Sequence, residues 1–280
     1  MKIIEEFQMP AAEWKLSEDM LYADANFAAV IDGATPKGHR LWRGRSSGRM
    51  AAETLCGVLE GLSPGAAVED FVAACNAAFR KVYREHGCER SVYLEPCERI
   101  TASVAVYSCR RREIWLVGDC RFAVNGVNYD NVKSIDRVLG QIRADINKYW
   151  LGKGISEDML RADDRGRKAI GKMLREQCFF QNRTDGSEFD YCVVDGFTPE
   201  RISCRPTAQL PVCMKIPAGS ELVLATDGYP AVKRTLAESE KTLAQSLRED
   251  PLCIFGNVQT KGVAPGAESF DDRTYMRLCT

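Results

Sequence analysis

The chain alternates between short β-patterned runs and longer stretches with helical spacing. "DMLYAD" and "NFAAVID" (19–24 and 26–32) form a first strand region, and "ITASVAVYS", "EIWLVGD" and "RFAVNG" (100–108, 113–119, 121–126) a second. "FDYCVVDG" with "RISCRP" (189–196, 201–206) reads as a third, and "SELVLAT" with "TYMRLC" (220–226, 274–279) as a fourth. β-Branched and aromatic residues fill these runs, and Gly, Asn, Asp or Arg punctuate them, as in hairpins. Two helices are predicted between the first and second regions. One, over 46–62, opens on a Ser N-cap; the other, over 66–87, sets Val68, Phe71, Val72, Cys75, Ala78, Phe79 and Val82 on one face. A helical zone over about 132–177 is rich in charge and interrupted by glycines, and its charged residues read as a solvated face. A short amphipathic helix precedes Pro251.

Strands joined by hairpins, with paired helices and no strict strand–helix alternation, predict antiparallel sheets covered by helices, an α+β fold. No solenoid repeat and no long biased linker divides the chain, so residues 1–280 read as a single domain.

Composition narrows the function. A net charge of −1 and a pI of about 6.2 give no global field for nucleic acid or a membrane surface. The basic cluster "CRRRE" (109–113) falls between two predicted strands and reads as a hairpin tip. The opening "MKIIEEFQMP" carries acids where a signal peptide needs an apolar core, and no run reaches the roughly 18 apolar residues of a membrane span. A soluble, cytoplasmic protein is expected. The twelve cysteines are scattered with no C-x-x-C pair, and the two histidines are His39 and His86, which argues against zinc. The cysteines read as reduced thiols packed as small hydrophobes.

Acidic residues recur at strand ends. "FAAVIDG" ends in Asp32 and Gly33, "LVLATDG" in Asp227 and Gly228, and "IWLVGD" in Asp119; Glu18 and Asp19 precede "MLYAD", and Asp271 and Asp272 precede the last strand. Carboxylates that converge need a shared proton or a cation. Without histidine or thiolate partners they suit Mg²⁺ or Mn²⁺ better than zinc.

The order of these pieces resembles the metal-dependent protein phosphatases, the protein phosphatase 2C-like (PPM) family. The residues that carry the resemblance are "SED" (17–19), "VIDG" (30–33), "ITAS" (100–103), "VGDCR" (117–121), "ATDG" (225–228) and "DDRT" (271–274), which span nearly the whole chain. It implies a four-layer α/β/β/α sandwich, two antiparallel sheets flanked by helical pairs, with a divergent helical insertion at about 132–177. It also implies two Mn²⁺ or Mg²⁺ ions at one edge, and hydrolysis of phosphoserine or phosphothreonine esters by a metal-activated water. Asp32 would bridge the two ions, the Gly33 carbonyl would contact one, and Asp227 and Asp271 would hold the other. Glu18 and Asp19 would act through water, and Asp119 would match a third, weaker metal of the bacterial-type members. The register of "DDRT" selects Asp271 over Asp272, and Asp32, Asp227 and Asp271 are expected to lie within a few ångströms of one another.

The chain also departs from the pattern. Trp14 stands where many members carry a phosphate-binding Arg, and Ala34 follows Gly33 where a His is usual. Lys15, His39 and Arg40 are the candidates left for the substrate phosphate. A partner-binding module of weak activity, and a hydrolase of small phosphoesters, stand as alternatives. The oligomeric state is not encoded in any pattern found.

Overall fold

The computed structural model describes residues 1–35, 37–38 and 40–280. Ten strands pair into two five-stranded sheets. The first takes the order β1 (Lys2–Met9), β10 (Arg273–Cys279), β9 (Glu221–Ala225), β6 (Arg121–Val124), β7 (Val127–Tyr129). The second takes the order β2 (Met20–Ala23), β3 (Phe27–Gly33), β4 (Ala102–Ser108), β5 (Glu113–Val117), β8 (Val212–Lys215). Every pairing is antiparallel.

Period-two alternation places the core. Ala28 and Val30 of β3, with Ile114 and Leu116 of β5, meet Leu222, Leu224, Met276 and Leu278 of the other sheet to fill the space between them. The alternate residues Phe27, Ala29, Ile31, Val104 and Trp115 face outward onto α1 (Ser47–Gly61) and α2 (Val68–Glu85). The α2 side chain Phe71 stacks on Trp115 with ring centroids 5.4 Å apart. Ser46 caps α1 by accepting from the Arg49 amide at 3.2 Å, a contact worth about 1 kcal/mol. On the outer face of the first sheet, Val223, Ala225 and Tyr275 are covered by Leu243 of α7 (Leu236–Glu249), together with Tyr229, Val263 and Phe270 from loops. The layers are therefore helices, sheet, sheet, helix. Here the second outer layer is one helix completed by loops, where a helical pair was expected.

The remaining helices are α3 (Glu89–Leu94), α4 (Ser134–Gly152), α5 (Glu157–Ala162) and α6 (Arg165–Glu176). Ile135 and Leu139 of α4 pack with Ile170 and Leu174 of α6 over Tyr191 and Val193, a small core of their own.

The third predicted strand region is not a strand. Residues 189–206 contribute only isolated bridges among the described residues, such as Ala102 to Val194 and Ser203 to Val212. Their backbone groups are satisfied otherwise: the Val193 amide donates to Asn182 Oδ1 at 2.9 Å and the Cys192 amide to the Ala208 carbonyl. Conversely, β1, β7 and β8 escaped the sequence pattern, β1 because it is an edge strand whose residues alternate between exposed and half-buried. No helix among the described residues is long and apolar enough to cross a membrane.

Candidate active site

Along β3 the inward side chains are Ala28 and Val30, so the next inward position is Asp32, at the mouth of the inter-sheet space. Gly33 behind it has no room for a side chain. A Cβ there would sit 2.4 Å from the Gly48 carbonyl oxygen and 2.5 Å from that of Glu18, so glycine lets α1 and the Glu18 segment close on the strand end. Gly228 does the same after β9, where a Cβ would lie 2.0 Å from the Asp272 carbonyl oxygen. That contact brings the Asp227 turn against the Asp271–Asp272 segment. Asp119 follows β5 and accepts from Ser103 Oγ of β4 at 2.5 Å. Asp32, Asp119, Asp227 and Asp271 thus line one cavity of about 340 Å³.

Burial and mutual repulsion dominate the electrostatics. Burial pushes Asp32 well above the usual carboxylate range, and Asp227, Asp19, Asp119 and Asp271 add to it. Asp227 is pushed up to about 7 by burial and by Asp119 and Asp271. Asp119 behaves oppositely: burial raises it, but Lys133 Nζ at 2.8 Å and the Ser103 hydroxyl outweigh that and hold it low. Asp271 pairs with Lys261 Nζ at 2.5 Å. Among the described residues, Asp32, Asp227 and Asp19 have no Lys, Arg or His nitrogen within 4.0 Å. No three of these acids have oxygens all within 4.8 Å of one another; among the described residues Glu95, Cys97 and Glu98 meet that spacing. Two of the aspartates are each paired with a lysine, Asp119 with Lys133 and Asp271 with Lys261. The donors are all oxygen, buried and only half compensated, which fits hard divalent cations such as Mg²⁺ or Mn²⁺.

Asp19 is not among the residues lining the cavity. Its Oδ2 accepts from Thr226 Oγ1 at 2.7 Å and Thr274 Oγ1 at 2.9 Å, and burial, then Asp271 and Asp272, raise its pKa well up. Glu18 accepts from the hydroxyl of Ser46, the α1 cap. Asp271 and Asp272 part company: Asp271 faces the cavity, while Asp272 accepts from the amides of Ala11 at 2.9 Å and Glu18 at 2.7 Å.

The candidates for phosphate contact are not gathered there. Lys15 lies 3.8 Å from both Glu18 and Asp272, whose charge draws it away from the cavity, and it is not among the residues lining it. Arg40 is stacked over the Trp42 ring at 5.6 Å. His39 lies outside the described residues. Trp14 is 69% exposed and rests beside Gly266. What sequence reading missed is the helical zone. Its charges are not only a solvated face, because Lys133, Asp136, Arg137 and Arg167 all line the aspartate cavity. Helical charge spacing shows that two faces differ but not which one turns inward. Lys37, also in the lining, is pushed down to about 8 by burial and by Lys261 and Arg167.

No protein-family model matches the chain. No curated protein matches it either. Solved structures do. The serine/threonine phosphatase Stp1 from Staphylococcus aureus superposes with a TM-score of 0.50 at 14% identity, covering 100% of this chain and 95% of that one. The PPM Ser-Thr phosphatase MsPP from Mycobacterium smegmatis gives 0.47 at 15% identity, over 100% and 99% of the two chains. The catalytic domain of the phosphatase PstP, solved with two manganese ions, gives 0.44 at 15% identity, over 99% and 98%. The two sheets and their helical cover thus give this chain the fold of the serine/threonine phosphatase Stp1.

Proposed function

We propose that the chain is a divergent PPM-family enzyme, a metal-dependent phosphatase that hydrolyses phosphoserine and phosphothreonine esters of proteins. In this reading residues 1–280 form one catalytic domain, and the insertion at about 132–177 supplies a wall of the active site. The observation that carries it is the gathering of Asp32, Asp119, Asp227 and Asp271, from four separate segments, around one cavity. A scaffold without a ligand gains nothing from buried like charges.

Asp32, the Gly33 carbonyl, Asp227 and Asp271 would hold two Mn²⁺ or Mg²⁺ ions, with Glu18 and Asp19 acting through water and Asp119 serving a third. Such ions supply Lewis-acid chemistry: they acidify water and neutralise phosphoryl charge. The protein's own part is to orient and to exclude. Thr226 and Thr274 fix one oxygen of Asp19, and Ser103 fixes Asp119. Cys120, beside Asp119, is no nucleophile, because burial raises its thiol pKa well up, with Asp32 and Asp119 adding to it. Thiols packed mostly in apolar surroundings suit a cytoplasmic setting.

The test is turnover of p-nitrophenyl phosphate and a phosphothreonine peptide with Mn²⁺, Mg²⁺, Zn²⁺ or EDTA. Mn²⁺- and Mg²⁺-dependent hydrolysis, absent with EDTA and lost in Asp32→Asn, is expected. Tight Mn²⁺ binding without hydrolysis of either substrate would instead mark a binding module.

A further inference from the structure

We propose that Arg167 and Lys37 bind the phosphoryl group of the substrate at the entrance to the aspartate cavity, so that the helical insertion carries part of the substrate affinity. The proposal rests on the phosphatase reading above.

The placement comes first. Beside the aspartate cavity lies a second, more open hollow of about 600 Å³ along α6, and both are lined by Thr35, Lys37 and Arg167. Those three residues form the neck between the hollows. A phosphoryl group moving from the outer hollow to the aspartates passes them.

Availability comes second. The cavity's lysines nearest the acids are already engaged, Lys133 by Asp119 and Lys261 by Asp271. Arg99 is bound to Asp195 at 2.8 Å. Arg167 is different. A guanidinium has five N–H donors, and that of Arg167 spends one, from Nη1, on the Thr260 carbonyl at 2.7 Å. No carboxylate lies within 4.0 Å of it among the described residues, because the nearest acid in sequence, Asp164, is turned to Arg143 at 2.7 Å and Asn147 at 2.8 Å. Lys37 likewise has no acidic partner among the described residues.

Positioning comes third. Asp164 caps α6 by accepting from the Arg167 amide at 2.8 Å, and Asn147 of α4 accepts from the Gly166 amide at 2.9 Å. The ion pair between buried Arg143 and partly exposed Asp164 ties that helix start to α4. Arg167 is therefore held at its root by the helix and at its tip by Thr260, whose neighbour Lys261 grips Asp271. Arg121 and Arg137 also line the cavity without an ion pair among the described residues, but of these cations it is Arg167 and Lys37 that line both hollows, and there they give a phosphomonoester dianion a complementary seat; a planar guanidinium fits two phosphate oxygens at once.

The experiment uses Arg167→Ala, Arg167→Lys and Lys37→Gln in the full chain, with thermal melts to check folding. Inorganic phosphate binding is read by isothermal titration, and KM and kcat for p-nitrophenyl phosphate with Mn²⁺. Arg167→Ala should raise KM and weaken phosphate binding by about ten- to a hundredfold, with kcat falling much less. Arg167→Lys should recover part of the loss, and Lys37→Gln should give a smaller loss of the same kind. Unchanged KM and phosphate affinity in Arg167→Ala and Lys37→Gln, or a fall confined to kcat, overturns the proposal. If the wild type turns over no phosphoester, the phosphatase reading fails, and the titration still decides: phosphate binding lost in Arg167→Ala supports the seat, and no binding by the wild type overturns it. Should Arg167→Ala misfold, Lys37→Gln carries the test.

Discussion

Asp227 offers a sharp test of the site's electrostatics, because its burden can be removed without removing its shape. Burial, with Asp119 and Asp271 close by, lifts its pKa from 3.8 to about 7. Below 3.8 both folded and unfolded chains carry the proton, and the residue does not affect stability. Between 3.8 and 7 the folded chain holds a proton that the unfolded chain has released, so stability falls as pH rises. Above 7 the full cost is present, about 4 kcal/mol for that displacement. Asp227→Asn keeps the volume and discards the charge, so the metal-free variant should be about 2–4 kcal/mol more stable than wild type at pH 8, with a much smaller gap at pH 5. Urea unfolding in EDTA measures this; with a slope of about 3 kcal/mol per molar, the midpoint moves by about 1 M. Mn²⁺ at a thousand times its Kd should close or reverse the gap, since it adds about 4.1 kcal/mol to the wild type alone. A variant no more stable than wild type at pH 8, or a gap independent of pH, would refute the claim that repulsion is stored at this strand end.

Lys261→Gln frees Asp271 and removes a positive neighbour of Asp227, so Mn²⁺ should bind severalfold more tightly by isothermal titration; weaker binding would contradict the pairing. Asp271→Asn should abolish metal-dependent turnover while leaving the melting temperature near wild type. Asp272→Asn should instead cost about 2 kcal/mol in unfolding, because its carboxylate holds the amides of Ala11 and Glu18. Gly228→Ala forces a Cβ to 2.0 Å from the Asp272 carbonyl oxygen, and should lose more than about 2 kcal/mol together with metal binding; a normal melt would show the turn to be more pliant than drawn.

The strand ends were legible because each combined an alternating apolar run with a small-residue turn, as in β3 and β9. Order along the chain then allowed Asp32, Asp119, Asp227 and Asp271 to be selected together. The segment 189–196 misled because an apolar, buried stretch need not be a ladder: Asp195 gathers Arg99, Gln181 and Asn182, and side chains there take the place of strand partners. Edge strand β1 was hidden by Glu5 and Glu6, whose charges are tolerable because one of its sides is open to water. Arg167 was invisible for a different reason. Its place in the cavity lining depends on which way α6 rolls against α4, and the Arg143–Asp164 ion pair between the two helices bears on that where local pattern does not.

Asp19 joins Thr226 and Thr274 across separations of 207 and 255 residues, and Asp272 reaches back 261 residues to Ala11. A loop of that length closes only after the intervening chain has found its place, which makes such contacts slow to form. On the ribosome the acidic pocket cannot exist while residues 271–274 are still unsynthesised. Until then Asp32, Asp119 and Asp227 lack Asp271, and the first sheet lacks β10, the strand that joins β1 to β9. The full set of four aspartates is therefore assembled only once the last strand is in place, and a nascent or clipped chain lacking that segment has an open sheet where the pocket's fourth wall should stand.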